Sequence, residues 1–184
     1  ALPSIAGVSN VEMASRFRGS SIGSAIEIKY GDIVEESSVG ISEGTIITVR
    51  NLFSNVPARR KFLKSDAAEV GRIVTLVKQL ALSYPSVGLN LMVDGRTRFV
   101  SSGNGVFRDV LARIYGGRVS ESLIDVDGFD DDGRRIWGCV SSPWETRPNR
   151  GGINFYVNHR WIQSRMINQA IENTYSGMLM VGRY

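Results

Sequence analysis

The spacing of apolar positions changes repeatedly along the chain, and each change of period predicts an element. Ala1 to Ala6 reads as a short helix end closed by Gly7, leading into a strand over Val8 to Ala14. Ala25 to Tyr30 alternates as a half-buried strand does. Gly31-Asp32 turns it into Ile33 to Ser37, a hairpin at a sheet edge. After a polar link from Ser38 to Glu43, Thr45 to Val49 is a run of mostly β-branched residues and predicts another strand. Asn55-Val56-Pro57 stops that strand. Pro57 lacks an N–H and fixes φ, so it suits the first position of a helix that continues through Ala58-Arg59-Arg60-Lys61.

Beyond this basic knob, Ser65 to Glu69 opens an amphipathic helix in which Val70, Ile73, Val74, Val77, Leu80 and Ala81 recur at spacings of three and four. It ends near Tyr84-Pro85, because proline restricts the residue before it. Leu89 to Val93, Asp94-Gly95 and Thr97 to Val100 form a second hairpin. Ser101 to Gly105 is small and polar with two glycines, and predicts a domain boundary, giving units 1–102 and 103–184. The second unit reads as a helix over Val106 to Tyr115 stopped by Gly116-Gly117, a hairpin of Leu123 to Phe129 and Arg134 to Val140, and a strand over Ile153 to Val157. A tight turn at Asn158-His159-Arg160 and a helix to Tyr175 with Ser164 as its N-cap complete it. The pattern as a whole is α+β.

Charge is more informative in its distribution than in its sum. The 184 residues carry 22 Lys and Arg against 18 Asp and Glu, a formal net charge of +4 that permits a polyanionic partner without requiring one. Arg50 to Lys64 is purely basic among its charges, Glu145 to Arg165 holds four arginines against one glutamate, and Glu121 to Asp132 is purely acidic. The single cysteine, Cys139, excludes an internal disulfide and reads as a small buried hydrophobe in a strand. With His159 the only histidine, a Cys/His zinc site is excluded as well. The apolar runs are too short to span a bilayer, and the N-terminus lacks a signal-peptide layout, so a cytoplasmic protein is expected.

The run G-T-I-I-T-V-R-N-L-F-S-N-V-P-A-R-R-K-F-L, starting at Gly44, is long and gapless, and it closely resembles the corresponding segment of the MutL family of DNA mismatch repair proteins, which are GHKL ATPases. The opening A-L-P-S-I-A-G-V-S-N-V-E is similar to the end of that family's third ATP-binding motif. I-N-F-Y-V-N-H-R-W-I-Q-S-R-M-I-N-Q-A-I resembles a segment of its second domain, although His159 stands where the family commonly has glycine. The resemblance implies the C-terminal part of a GHKL α/β sandwich followed by a truncated transducer domain similar to domain two of ribosomal protein S5, the chain being an internal piece of a larger protein. It also implies ATP and Mg2+ as cofactors of the intact protein, and a homodimer that acts on double- or single-stranded DNA. That protein would relay recognition from a MutS-type mismatch sensor to a downstream endonuclease or helicase.

Carried over residue by residue, the resemblance assigns Ala1, Leu2, Gly44 and Thr45 to the edge of the nucleotide site. The family's general base, magnesium-binding asparagine and adenine-reading aspartate precede these positions, and its γ-phosphate lysine follows them. The 184 residues are therefore expected to be inactive alone, with no catalytic residue and no metal site of their own. Arg160 and Arg165 are the residues the resemblance places on DNA, with Arg147 and Arg150 as further candidates. Arg59, Arg60 and Lys61 are expected to bridge the two domains, one or two of them pairing with internal carboxylates. Two other classes of function fit the residues without the resemblance: a nucleic-acid-binding module using the basic faces, and a protein-interaction unit using the acidic 121–132 hairpin.

Overall fold

The computed structural model describes residues 1–180 and 182–184, and the chain divides into two compact units, Ala1–Ser65 and Asp66–Tyr184. In the first, helix α1 (Leu2–Ala6) precedes four strands, β1 (Asn10–Arg16), β2 (Gly23–Lys29), β3 (Asp32–Val39) and β4 (Gly44–Arg50), followed by the single-turn helix α2 (Pro57–Arg60). The strands form one antiparallel sheet in the order β3-β2-β1-β4. β1 begins two residues later than its apolar pattern suggests, because the backbone of Val8 and Ser9 is used elsewhere. The carbonyl of Val8 accepts from Phe53 N–H at 2.8 Å and that of Ser9 from Tyr30 N–H at 3.0 Å. The loop between β2 and β3 is Tyr30-Gly31, both at positive φ (51° and 101°), the mirror-image turn whose twist matches a two-residue hairpin. Pro57 occupies the first turn of α2, where its missing N–H costs nothing.

The second unit contains α3 (Asp66–Ser83), the hairpin β5 (Gly88–Val93) and β6 (Arg96–Ser102), α4 (Phe107–Tyr115) and α5 (Gly117–Ser122). There follow the hairpin β7 (Ile124–Phe129) and β8 (Arg135–Val140), a 3-10 turn at Arg150–Gly152, the short hairpin β9 (Phe155–Val157) and β10 (Arg160–Ile162), and α6 (Arg165–Thr174). Its core is Ala81 and Leu82 from the last turn of α3, Phe99 from β6, and Val110 and Leu111 from α4. Ser164 caps α6 as expected, its hydroxyl accepting from Ile167 N–H at 3.3 Å.

The core overrides the boundary expected at Ser101–Gly105. That stretch is packed rather than loose. Ser101 Oγ accepts from Leu89 N–H at 3.0 Å and donates to the Val87 carbonyl at 3.3 Å, and Gly105 N–H donates to Pro85 O at 3.1 Å. Gly103 lies at φ 69°, where a Cβ would stand 2.3 Å from Gly88 N, so no side chain fits. The two compact units meet after Ser65, because α3, β5 and β6 share the α4 core.

Two smaller differences have local causes. Gly116-Gly117 ends α4 but also starts α5, which Arg108 holds by donating to the carbonyls of Ser120 at 2.8 Å and Leu123 at 3.0 Å. The strand expected from Ile153 shrinks to Phe155–Val157, since Asn149 Oδ1 accepts from Gly151 N–H at 2.9 Å and turns the chain through Gly152. Truncating Leu111 to alanine should cost about 2–5 kcal/mol of the second unit's stability. Amide exchange would show this as faster exchange in α3, β6 and α4, with the β1–β4 ladder unchanged.

Candidate functional site

The register of the first sheet places Ser15 opposite Thr45 and Arg16 opposite Gly44. Their hydroxyls meet: Ser15 Oγ and Thr45 Oγ1 are 2.8 Å apart, and Ser15 Oγ also lies 3.3 Å from the Gly44 carbonyl. Around this pair is an open cleft of about 380 Å³ lined by Ser15, Arg16, Phe17, Arg18, Glu43, Gly44 and Thr45. Arg16 donates from one terminal nitrogen to Ser20 O at 3.0 Å while its Nε is buried with no partner among the described residues. Glu43 accepts from Gly19 N–H at 3.1 Å and sits 3.8 Å from Arg18 Nε, which holds the β1–β2 loop over the cleft. Phe17, at the lip, is 82% exposed.

Gly44 and Thr45 thus line a cleft. Ala1 and Leu2 do not line it: they form the N-cap position and first residue of the helix that precedes the Asn10 end of β1, whereas Gly44 and Thr45 pair with the Arg16 end. Ser15, Arg16, Arg18 and Glu43 join the cleft unannounced by the sequence, because only strand pairing brings β1's end beside Gly44. The lining sets the two hydroxyls and two guanidiniums beside one carboxylate, Glu43. Two hydroxyls and two guanidiniums suit a polar, anionic ligand, and among the described residues no group of three or more His, Cys, Asp or Glu side chains could hold a metal ion.

In the second unit the four arginines expected on DNA separate into two kinds. Arg150 is committed internally: its guanidinium forms a two-pronged ion pair with Glu172, at 2.5 and 2.9 Å, and lies 4.6 Å over the Tyr184 ring. This pairing holds the Glu172 carboxyl below its usual range. Arg147 stacks 5.1 Å over the Tyr115 ring and exchanges two backbone hydrogen bonds with Tyr184, at 2.7 and 3.0 Å. Arg160 on β10 and Arg165 at the start of α6 are exposed, and their side chains have no hydrogen bond or ion pair among the described residues. Arg59, Arg60 and Lys61 are exposed too, and the carboxylate pairing expected of them is not made among the described residues.

The β9–β10 hairpin that carries Arg160 turns through Asn158 and His159, both at positive φ (48° and 64°). The histidine takes a backbone shape that glycine adopts most readily, and its ring is held rather than free. Its Nδ1 lies 2.8 Å from the Ser83 carbonyl, Ser83 Oγ donates back to the His159 carbonyl at 2.7 Å, and the ring stacks on Tyr84 at 5.1 Å.

The acidic hairpin is largely neutralised by two arginines of its own and by Arg108 of α4. Arg108 reaches Asp125 at 2.9 Å, Arg135 grips Asp127 with two bonds at 2.9 and 2.8 Å, and Arg134 bridges Asp130 and Asp132. These bonds, first among the causes, hold the carboxyls of Asp125, Asp127 and Asp130 below the ordinary range. Cys139, half-buried on β8, donates its S–H to Asp125 at 3.2 Å, and burial pushes its thiol up to about 11.

A sequence profile described as the C-terminal domain of DNA mismatch repair proteins matches residues 111–184. The whole chain is 40% identical to the DNA mismatch repair protein MutL of Limosilactobacillus fermentum and 36% identical to that of Macrococcus caseolyticus, covering 28% and 29% of their lengths. The ADP complex of the Aquifex aeolicus MutL ATPase domain superposes with a TM-score of 0.79 at 28% identity, over 94% of this chain and 66% of that one. The N-terminal domain of a DNA repair protein shares the fold with a TM-score of 0.82 at 18% identity, over 97% of this chain and 58% of that one. Fold and sequence together define a segment of a DNA mismatch repair protein. The chain belongs to the MutL family: its α+β fold is that of the MutL ATPase region, and the part matched by the profile is the S5-like transducer domain. It spans little more than a quarter of the length of these relatives. No helix among the described residues is long and apolar enough to cross a membrane.

The hairpin pairs make a pH prediction. A carboxyl held low when folded contributes stability above its unfolded value and loses it as pH falls through the folded one. Acidification below about pH 4 should therefore loosen β7–β8 progressively. In Arg135→Gln the Asp127 carboxyl should titrate at higher pH than in the parent, read by carboxyl carbon shifts.

Proposed function

We propose that this chain works as part of an ATP-dependent conformational switch in DNA mismatch repair. The Gly44–Thr45 cleft forms one edge of the nucleotide site, and the β9–β10 hairpin with the start of α6 contacts DNA phosphates. The observation that carries this reading is the match of the whole chain to MutL sequences, with a candidate nucleotide edge and a candidate phosphate surface both present in it. ATP with Mg2+, bound with help from segments outside these residues, would supply a cleavable phosphoanhydride and the charge that orders the site. The residues here would hold and orient: the Ser15 hydroxyl fixes the rotamer of Thr45, and Arg16, anchored on the Ser20 carbonyl, adds positive charge to the cleft lining.

On the transducer side, Arg160 and Arg165 supply positive charge that no carboxylate among the described residues pairs, whereas Arg147 and Arg150 shape the loop between them and Tyr184. Backbone phosphate contact needs cations whose partners are not already protein groups, and it weakens with salt through counterion release. In the intact protein, a homodimer, this binding would be coupled to nucleotide and passed from a MutS-type sensor to an endonuclease or helicase.

The test uses the intact protein and duplex DNA over a range of salt, with and without a non-hydrolysable ATP analogue and Mg2+. Nucleotide should strengthen DNA binding, and Thr45→Ala should abolish that response while leaving nucleotide-free binding in place. Arg160→Gln with Arg165→Gln should make the salt dependence less steep by about two. Binding that ignores nucleotide in the parent would instead identify a plain nucleic-acid-binding module.

A further inference from the structure

The β9–β10 hairpin is too small to hold its own geometry. Each strand has three residues, no third strand joins them among the described residues, and an isolated two-stranded hairpin is marginal in water. Its turn also places a non-glycine residue, His159, at φ 64°, which L side chains adopt at a conformational cost. A strained turn on a minimal hairpin persists only where the surroundings fix it, and here they do so at three points. His159 Nδ1 meets the Ser83 carbonyl at 2.8 Å, Ser83 Oγ meets the His159 carbonyl at 2.7 Å, and the imidazole stacks on Tyr84 with an interplanar angle of 20°.

Ser83 is buried at the C-terminal end of α3, one residue after the core member Leu82. The clasp therefore ties the turn to the packed core of its unit. The next residue is Arg160, exposed and without a hydrogen bond or ion pair among the described residues.

We propose that His159 and Ser83 are positioning residues for polyanion binding: their reciprocal clasp sets the direction in which Arg160 leaves the hairpin and so determines whether it engages a DNA phosphate. The inference rests on the assignment of Arg160 as a phosphate contact. It also specifies a proton. A carbonyl only accepts, so the Ser83 contact requires hydrogen on Nδ1, and a neutral His159 carries its lone pair on Nε2. A guanidinium on an untethered loop would reach the same phosphate only after paying the entropy of ordering that loop.

Glycine removes the imidazole's half of the clasp, the Nδ1 bond and the stack on Tyr84, while keeping the Ser83 bond to the backbone carbonyl and leaving the turn unstrained, so His159→Gly separates positioning from folding. In the full chain this variant should keep the parent's thermal midpoint, yet lose salt-dependent duplex binding in the manner of Arg160→Gln, the salt slope becoming less steep by about one. His159→Asn, whose amide can donate to the same carbonyl and whose backbone tolerates positive φ, should restore part of the loss. Long-range nitrogen–proton spectra of the parent should show the proton on Nδ1. A His159→Gly protein with the parent's slope, or a neutral ring protonated on Nε2, would overturn the proposal. Were Arg160→Gln itself to leave the slope unchanged, the phosphate assignment would fall and the positioning role with it, while the Nδ1 signal would still show whether the clasp forms.

Discussion

Strand β1 is the constraint on which the first unit depends. It is hydrogen-bonded on both edges, to β2 over Asn10–Ser15 and to β4 over Asn10–Arg16, and that double register alone decides which residues face one another. A slip of one position would carry Val11, the most buried side chain of the strand, to the opposite face and separate Ser15 from Thr45. The cleft is thus a by-product of strand alignment. The alignment is fixed at its far end, where Phe53 and Tyr30 bond the backbone just ahead of β1.

The second unit is organised differently, by packing around the last turn of α3. Ala81 and Leu82 bury themselves against Phe99, Val110 and Leu111, and the neighbouring Ser83 turns the same turn of helix into an attachment point for the β9–β10 hairpin. One helical turn serves two purposes because consecutive residues point in different directions: two go into the apolar core and one reaches a polar partner. Arginines do comparable work elsewhere in the unit. Arg108 closes α5, Arg147 and Arg150 secure the segment at Tyr184, and Arg134 and Arg135 neutralise the acidic hairpin. These five arginines have internal partners, which takes them out of the freely available basic surface.

Local signals were legible in the sequence. Period-two and period-three-to-four runs located the strands and the long helices, Pro57 marked the start of α2, and Ser164 marked the cap of α6. The Gly44 run also announced its family. What sequence could not convey was pairing between distant residues. The glycine-rich stretch at Ser101–Gly105 looks like a linker by composition, and only the approach of Gly103 to Gly88 shows it to be tightly packed. The two kinds of arginine are identical as letters; Glu172 and Tyr184 distinguish Arg150 from Arg160. Ser15 became visible beside Thr45 only through register, and Ser83 beside His159 only through a contact spanning 76 positions.

The packed glycine at 103 also bears on how the protein can be divided. Composition invites a cut there, between a nucleotide-binding half and a transducer half. Such a cut would leave Phe99 on one piece and Val110 and Leu111 on the other, exposing apolar surface on both and inviting aggregation. The transducer segment of this family member depends for its interior on a helix and a hairpin that precede it. Recombination or domain exchange among relatives would preserve folding better at the exposed polar junction near Ser65, where the core is not crossed.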